Sequence, residues 1–303
     1  MFRRLSIVGL GLMGGAIGLA ARRTGAALRV CGVTDQNATI ERARLMGAVD
    51  EATVDMREGV RDADLVLLAV PVRLVPTVAK AIIPAVRAGT VLTDVGSTKR
   101  QVVGAVEQLL AQEKSAAHFV GSHPLAGSEK TGIEAAPEVR LAKATCILTP
   151  TPATDNEAYH RIEEFWQTLE MKTMRLSPEE HDSVLARSSH LPHLLSFALT
   201  QAQSDRSMTV CGPGLRDMTR LAGSDVSMWT DILIQNAEEM GKVTKDIGNE
   251  LLQLAAEFEA LAAGGGTEAA RERLFRYLAD ARQRHDSRFR KPANTAPISP
   301  PPA

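Results

Sequence analysis

The segment from Gly9 to Gly14 has residue types and a spacing that suit the binding of a dinucleotide. Glycines stand at its first, third and last positions, between an apolar run and a helical pattern. Such glycines allow a tight turn, bring the backbone close to a pyrophosphate and let the helix pack on the strand. Asp35 follows the next apolar run, 21 residues after Gly14, where an acid accepts hydrogen bonds from ribose hydroxyls. The sequence therefore predicts a dinucleotide site formed by Gly9, Gly11, Leu12, Met13, Gly14, Asp35 and Val70.

Asp35 also bears on which dinucleotide binds. A carboxylate at this position repels the 2′-phosphate of NADP, and no arginine directly follows it, since the next residues are Gln36 and Asn37. The expected cofactor is therefore NAD. The same carboxylate could instead cap the helix that follows, and one side chain can serve both purposes.

Two polar segments follow two further predicted strands. Residues 94–99 include Ser97, and residues 121–130 include His123. Ligands of open α/β sheets bind outside the carboxyl ends of the strands, so both segments are expected on the nicotinamide side of the site. An isolated histidine is usually structural, but one at a strand's carboxyl end beside a cofactor is a candidate functional residue.

A second pair of histidines, His190 and His193, lies three residues apart and therefore on one face of a helix. Such a pair could supply half of a metal site. Because no further ligands cluster near the pair in the sequence, no metal is expected.

The elements that must position these residues change character near residue 177. Before it, apolar runs alternate with amphipathic segments, and the continuous run at 65–70 is typical of a parallel strand covered on both faces. This alternation predicts βαβ units and an open, doubly wound sheet. After it, Ser177, Pro178 and Glu180 have the pattern of a helix N-terminus, and strand signals vanish. The predicted strands are 5–10, 28–33, 65–70, 90–95, 119–122 and 145–148, and the longer predicted helices are 12–23, 36–46, 178–203, 226–262 and 267–286.

The expected fold class is an α/β Rossmann-like N-terminal domain followed by an all-α C-terminal domain. We place a dinucleotide-binding domain at 1–176, a helical substrate and dimerisation domain at 177–288, and a disordered Pro-rich tail at 289–303. The long apolar helices beyond residue 226 carry more hydrophobic surface than one small α/β domain can cover. That excess indicates that a further apolar surface covers these helices.

Composition narrows the classes of function. The 303 residues include 35 Lys and Arg against 36 Asp and Glu, a net charge of −1, so no basic excess favours nucleic acid as a partner. No apolar run approaches the ~20 residues of a membrane span, so no membrane association is expected. The three cysteines form no CxxC pair, which favours neither a zinc site nor a disulfide framework and fits a reduced, cytoplasmic compartment.

Arg3 and Arg4, followed by an apolar run, resemble a twin-arginine export signal. No A-x-A cleavage pattern precedes the next charges, Arg22 and Arg23. A first β-strand is therefore the favoured interpretation of this segment.

Several of these motifs together resemble the prephenate dehydrogenase family of tyrosine biosynthesis. The similarity extends over about residues 3–285, and the segments around His123 and His193 are far more specific than the glycine motif. The family oxidises prephenate, or in some members arogenate, with a nicotinamide cofactor and loss of CO2. The resemblance also implies a homodimer built through the helical domain. The matching segments are the glycine motif at 9–18, Asp-Val-Gly-Ser-Thr-Lys at 94–99, Gly-Ser-His-Pro-Leu-Ala-Gly-Ser-Glu-Lys at 121–130, Ser-His-Leu-Pro-His at 189–193 and Leu-Arg-Asp-Met-Thr-Arg-Leu-Ala at 215–222.

The resemblance implies roles for individual side chains. His123 matches the histidine that accepts the proton of the substrate hydroxyl, a role that suits an ordinary histidine pKa near ~6.5. Ser97 matches the serine that hydrogen-bonds both this hydroxyl and the histidine. His193 matches a histidine near substrate and nicotinamide, whereas His190 is expected to be structural. Ser128 belongs to the expected substrate-binding set, and Glu129 and Lys130 are either part of a gating ion network or solvated loop charges.

The resemblance also assigns Arg220 to a substrate carboxylate, which a guanidinium binds with two parallel hydrogen bonds. The alternative is an ion pair with Asp217, three residues earlier on the same helix face. Asp217 could instead reach the side-chain end of the substrate, where a carboxylate would attract the ammonium group of arogenate. The substrate is therefore expected to be prephenate, with arogenate or both as the alternative.

Two other functions compete with this interpretation. A β-hydroxyacid dehydrogenase also combines a Rossmann domain with helices, and its G-x-x-x-K-x-x-x-N pattern occurs at Gly241, Lys245 and Asn249. That match falls in the later long helix, so we interpret it as coincidence. A protein that binds NAD without turnover is the other rival, but it would not need Ser97, His123, His193 and Arg220 together.

Overall fold

The computed structural model describes residues 1–128, 130–264 and 267–289, and the chain divides into two compact units. The first unit is Met1–Gly241 and the second is Lys242–Ala303. Apart from Phe289, the tail predicted at 289–303 lies outside the described residues. No helix in the described part of the chain is both long and apolar enough to cross a membrane.

The first unit is built on an eight-stranded sheet with the strand order β3-β2-β1-β4-β5-β6-β7-β8. Neighbouring strands run parallel except for β6 and β7, which are antiparallel. The expected α/β fold class is confirmed. The strands are β1 (Phe2–Val8), β2 (Ala27–Val33), β3 (Glu51–Thr53), β4 (Leu65–Leu68), β5 (Val91–Asp94), β6 (His118–Pro124), β7 (Thr145–Thr149) and β8 (Lys172–Arg175).

Helices cover both faces of this sheet. Alternate residues of β4 belong to two separate hydrophobic clusters: Leu65 and Leu67 to one, Val66 and Leu68 to the other. Because successive side chains of a strand point to opposite faces, the sheet has a core on each side. The helices between strands are α1 (Leu12–Thr24), α2 (Asn37–Leu45), α3 (Met56–Val60), α4 (Val75–Ile82), α5 (Arg100–Gln112) and α6 (Asn156–Thr168).

Beyond β8 the described chain is helical, as expected. The order is α7 (Pro178–Leu185), α8 (Leu191–Gln201), α9 (Asp205–Thr209), α10 (Pro213–Thr219), α11 (Val226–Gln235), α12 (Ala237–Ala262) and α13 (Thr267–Phe289). In the second unit, Arg273 on α13 binds Glu257 on α12 through two hydrogen bonds of 2.9 and 2.7 Å.

Two helical predictions need correction. The helix expected at 178–203 contains a π-helical turn, Ala186–His190, between α7 and α8. Pro192 lacks a backbone N–H and its ring crowds the carbonyl four residues earlier, which a wider turn accommodates. The helix expected at 226–262 is interrupted at Asn236, whose buried side chain hydrogen-bonds to groups on other segments.

Candidate functional site

The turn between β1 and α1 forms a backbone cradle that leaves no room for a side chain at two of its three glycines. Gly9 has φ +101°, and a Cβ there would lie 2.3 Å from the carbonyl oxygen of Ala69. A Cβ on Gly14 would lie 1.9 Å from the carbonyl oxygen of Gly9. At Gly11, by contrast, a Cβ would meet nothing within 4 Å. Gly9 and Gly14 are therefore required by packing, whereas Gly11 faces open space.

This open space belongs to a cleft of about 990 Å³ along the carboxyl ends of β1, β2 and β4. The predicted cofactor residues Gly9, Gly11, Asp35 and Val70 line it. Gly11 is the N-cap of α1, and no side chain caps that helix, so its first amides are available to an anion. The donors, the glycine cradle and the acid fit a dinucleotide.

The other three predicted cofactor residues do not line this cleft among the described residues. Leu12 begins α1, Met13 packs against the hydrophobic core beneath it, and Gly14 is buried against the backbone of Gly9. Any contribution from these three to a phosphate would come from their backbone amides.

Sequence reasoning missed an arginine in the cleft. Asp35 is exposed and lines it, and so does Arg42 on α2. The Nε of Arg42 lies 3.2 Å from a carboxylate oxygen of Glu134, which belongs to a 3-10 turn at Ile133–Glu138. Inspection of the two residues after Asp35 could not reveal this cation, because α2 carries it back to the cleft from a later position.

At the end of β5, Asp94 forms one half of a buried ion pair. Its carboxylate accepts the backbone N–H groups of Gly96, at 2.9 Å, and Ser122, at 3.1 Å. It also forms an ion pair with the ammonium group of Lys99, and both side chains are fully buried. Since an unpaired buried charge is costly, this pair and its amides fix the loop 95–99 against β6.

His123 lies near the end of β6 and is 8% exposed. Its Nδ1 is 2.9 Å from Nε2 of His181 on α7. Burial, with further contributions from His181 and Lys99, holds the pKa of His123 well below its ordinary value. The imidazole is therefore neutral at physiological pH, and it can accept a proton.

The partner of His123 comes from the start of α7, a segment that the sequence indicated only as a helix N-terminus, without a role for His181 or Asp182. Ser177 and Glu180 form a capping box, which sets the helix so that His181 and Asp182 are both buried. Nδ1 of His181 is 2.8 Å from Oδ1 of Asp182. In the sequence, His181 and Asp182 look like ordinary polar residues that follow the acidic first turn of a capped helix.

Ser97 lies in the loop between β5 and α5 and is partly buried. Within the described residues its hydroxyl forms no hydrogen bond to His123. The backbone around it is held firmly, since Thr98 donates to Gln235 at 2.7 Å and the amide of Lys99 donates to Asp182 at 2.7 Å. The hydroxyl of Ser97 is thus held on a rigid loop without a partner of its own in the described part of the chain.

His193 stacks on Trp229, with ring centroids 3.6 Å apart and planes inclined by 20°. Its Nδ1 donates to the carbonyl of Ser189 at 3.0 Å. Burial and the nearby charge of Arg220 lower the pKa of His193. The sequence did not indicate a role for Trp229, because an isolated tryptophan in a helical segment is usually a core residue.

His190 is buried behind this pair. Its Nδ1 lies 3.1 Å from the amide nitrogen of Asn236, which also donates to the carbonyl of Asp182 at 2.8 Å. Burial lowers the pKa of His190 to about 4. The ring therefore joins the π-helical turn to the break between α11 and α12.

The two predicted residues at α10 are exposed. Asp217 lies on α10 and Arg220 begins the 3-10 turn that follows. In the described part of the chain neither one forms an ion pair, so the structure does not contain the Arg220–Asp217 pair that was the alternative to a substrate role. Both charges remain available to a ligand.

Ser128, which the sequence assigns to substrate binding, forms a hydrogen bond within a local turn. Its hydroxyl accepts the backbone N–H of Lys130 at 3.1 Å. Lys130 also forms an ion pair of 2.6 Å with Glu138. Glu129, the other charge of the predicted gating network, lies outside the described residues.

Two family models match the chain. The model described as "Prephenate dehydrogenase, nucleotide-binding domain" matches residues 17–175, and the one described as "Prephenate dehydrogenase, dimerization domain" matches residues 177–280.

Named relatives agree with these matches. The chain is 32% identical over 288 residues to a prephenate dehydrogenase of Bacillus subtilis, a match covering 92% of this chain and 74% of that protein. It is 34% identical over 244 residues to a cyclohexadienyl dehydrogenase of Zymomonas mobilis, covering 78% and 82% of the two chains. The solved structure of prephenate dehydrogenase from A. aeolicus with hydroxyphenyl propionate and NAD+ is similar with a TM-score of 0.82 and 30% identity, over 95% of this chain and 98% of that one.

Proposed function

The chain belongs to the prephenate dehydrogenase family, and we propose on this basis that it oxidises prephenate with NAD and loss of CO2, giving 4-hydroxyphenylpyruvate. The observation that carries the proposal is His123, a buried neutral imidazole at the carboxyl end of a strand. It belongs to the same compact unit as the dinucleotide cleft. The β-hydroxyacid alternative built on Lys245, which is exposed on α12, is set aside by family membership.

NAD would be held by the cradle of Gly9 and Gly11, the uncapped N-terminus of α1 and the carboxylate of Asp35. A nicotinamide cofactor supplies the hydride acceptor. Asp35 disfavours a 2′-phosphate by charge repulsion, whereas Arg42 offers a cation in the same cleft. Arg42 already forms an ion pair with Glu134, which leaves less of its charge for a 2′-phosphate. The charges in the cleft therefore favour NAD over NADP.

His123 would take the proton of the substrate hydroxyl as hydride leaves the carbinol carbon. The resulting ketone is conjugated through the ring to the carbon that bears the carboxylate. The carbon–carbon bond to CO2 then breaks, its electron pair makes the ring aromatic, and the proton can return from His123 to the phenolate oxygen. Ser97 is proposed to donate a hydrogen bond to the same oxygen.

The two carboxylates of prephenate need cationic or hydrogen-bonding partners. We assign one to Arg220, which forms no ion pair in the described chain, and place His193 beside substrate and nicotinamide. Stacking on Trp229 fixes the ring plane of His193, and its Nδ1 contact leaves Nε2 for a ligand. Ser128 is retained as a weaker candidate for substrate binding.

Arogenate is the second candidate substrate, alone or beside prephenate. Two observations favour it: the relative named cyclohexadienyl dehydrogenase, and Asp217, an exposed carboxylate near Arg220 in sequence. An ammonium group on the substrate would gain from that carboxylate, and a ketone would not.

The helical part is proposed to build a homodimer, with the domain boundary at 176/177 and the helical domain at 177–288. The dimerization-domain model at 177–280 supports this assignment. Exposed large apolar side chains on the long helices, among them Leu251, Leu252 and Phe258, suit a covered surface. A reduced, cytoplasmic location remains a prediction from the free cysteines.

The test is turnover by the purified full chain, with NAD or NADP against prephenate or arogenate. We expect NADH and 4-hydroxyphenylpyruvate in equal amounts from prephenate and NAD. Tyrosine as the dominant product, formed from arogenate alone, would move the assignment to the second candidate. No NADH from either substrate would refute the proposal.

A further inference from the structure

We propose that His181 and Asp182 are positioning residues that hold the proton of His123 on Nδ1, so that Nε2 is the atom that accepts the substrate proton. This inference rests on the proposed function for its catalytic consequence. Its geometric part concerns only the ring of His123 and its partners.

Asp182 is 2% exposed and is surrounded by donors. Oδ1 accepts the backbone N–H of Lys99 at 2.7 Å and lies 2.8 Å from Nδ1 of His181, while Oδ2 accepts the N–H of Arg100 at 2.9 Å. Burial raises the pKa of this carboxyl, but these hydrogen bonds outweigh burial, so the pKa lies below its ordinary value. An ionised carboxylate only accepts, and therefore Nδ1 of His181 carries a proton.

His181 is fully buried, and burial lowers its pKa although Asp182 opposes the shift. The ring is therefore neutral at physiological pH and carries one proton, which Nδ1 holds. Nε2 of His181 is then a bare acceptor, 2.9 Å from Nδ1 of His123. That contact is a hydrogen bond only if His123 carries its proton on Nδ1, and the neutral ring then has a bare Nε2.

The remaining atom is the one that the reaction needs. Among the described residues, Nε2 of His123 has no hydrogen-bond partner, and the side chain retains 8% exposure. The opposite tautomer would present an N–H to the substrate hydroxyl and could not take its proton. In Ser-His-Asp triads, the carboxylate fixes the tautomer of the histidine and stabilises the imidazolium that forms later. Here the imidazole of His181 lies between the carboxylate of Asp182 and the ring of His123.

The charges that face the pair come from several elements. Lys99, before α5, and His190, in the π-helical turn, both disfavour a positive His123. Asp94 faces His181 as well, but Lys99 neutralises it. Asp182 thus supplies the negative charge that stabilises the protonated His123 through His181.

The direct test is the ring ¹⁵N spectrum of the full chain labelled at histidine, with assignment by the loss of one ring's signals in His123→Asn. A protonated and a bare ring nitrogen have widely separated shifts, so the tautomer is read without any substrate. We expect Nδ1 of His123 protonated and Nε2 bare in the wild type, with and without NAD. A proton on Nε2 would overturn the proposal.

Two substitutions at His181 separate positioning from packing. In His181→Gln the amide can donate to Asp182 and its oxygen can accept from His123, so the tautomer should persist and kcat should stay within ~10-fold of wild type. His181→Leu removes the acceptor, and we expect a mixed tautomer and kcat lower by about 10²–10⁴-fold. Leu185→Ala is the matched control on the same helix, since Leu185 is 3% exposed and lies outside the relay, by which we mean the chain of hydrogen bonds Asp182–His181–His123. This control should lower Tm and leave the tautomer unchanged.

Asp182→Asn is the second variant, chosen because an amide nitrogen can donate to His181 and reverse both tautomers. We expect kcat to fall by about 10²–10⁴-fold while KM for NAD stays near wild type. Equal kcat in His181→Gln and His181→Leu would overturn the relay even if the wild type turns over prephenate. Conversely, an Nδ1-protonated His123 without any turnover would refute the proposed function and leave the relay in place.

Discussion

The dinucleotide cleft and the cluster around His123 are built in different ways. The glycine turn at one end of the cleft is formed by the backbone of one short segment, where Gly9 is needed because Ala69 leaves no room for a side chain. The cluster around His123 is made of side chains from β5, β6, α7 and the loop before α5, nearly all buried. The cleft can therefore be recognised from a local pattern, whereas the cluster exists only once distant segments have packed.

The two regions also differ in how strongly charge acts within them. Asp35 is exposed in the cleft, where water and salt screen its charge. Asp182 and His181 are nearly inaccessible to water, so burial and their hydrogen bonds, rather than bulk solvent, set their pKa values. Substitutions in the buried cluster should consequently change the reaction more than those in the cleft.

The largest effect is expected at His123. His123→Asn removes the base, and we expect kcat to fall by about 10²–10⁴-fold while the Kd for NAD stays close to wild type, since the cleft is untouched. Steady-state rates and a fluorescence titration of NAD measure the two quantities. A variant that keeps most of its kcat would show that the proton goes elsewhere.

Arg220 tests the substrate side of the same comparison. Arg220→Gln should raise KM for prephenate by about 10–150-fold, because a charge-assisted contact contributes ~1.5–3 kcal/mol. Asp217→Asn, its neighbour on α10, should leave that KM in place and shift the kcat/KM ratio from arogenate towards prephenate. An unchanged KM in Arg220→Gln would place the carboxylate contact on another residue.

Gly9 and Gly11 separate a glycine required by the fold from one required by the ligand. Gly9→Ala places a Cβ against a backbone carbonyl at a positive φ. We expect this substitution to lower the free energy of unfolding by ~1–3 kcal/mol. Gly11→Ala meets open space, so stability should change by less than ~0.5 kcal/mol while NAD binds more weakly. Chemical denaturation and NAD titration measure both, and normal NAD affinity in Gly11→Ala would mean that the pyrophosphate lies elsewhere.

The smallest effect concerns cofactor choice in the exposed cleft. Wild type should prefer NAD over NADP by at least ~10-fold in kcat/KM, and Asp35→Asn should narrow the ratio. Glu134→Gln, which frees Arg42 from its ion pair, should narrow it further towards NADP. Equal use of both cofactors by the wild type would show that Asp35 does not contact the ribose.

The difference between the regions explains what the sequence could predict. The α/β order, the glycine turn, Asp35 and the positions of Ser97 and His123 follow from local patterns. β8 was missed because Lys172–Arg175 is a short, largely exposed edge strand without an apolar alternation. The break at Asn236 was missed because helical periodicity continues through it, and only tertiary hydrogen bonds from its side chain interrupt the helix.

Within the site, the residues missed were those whose role depends on a partner. His181 and Asp182 were hidden in a helix start, and Arg42 returns to the cleft only through the geometry of α2. The alternative role of Arg220, an ion pair with Asp217, was wrong for a similar reason: helical spacing permits such a contact but does not require it.

The pH dependence of kcat/KM for prephenate with NAD tests the central claim most directly. His123 acts in its neutral form, which persists until the pH falls to its pKa, and burial holds that pKa well below its ordinary value. We therefore expect NADH formation at a kcat/KM that is level through pH 6.5 and declines only in more acidic buffer, after subtraction of enzyme-free loss of prephenate. An acidic limb with an apparent pKa at or above ~6.5, or no NADH at any pH, would contradict the assignment of a buried, neutral His123 as the base.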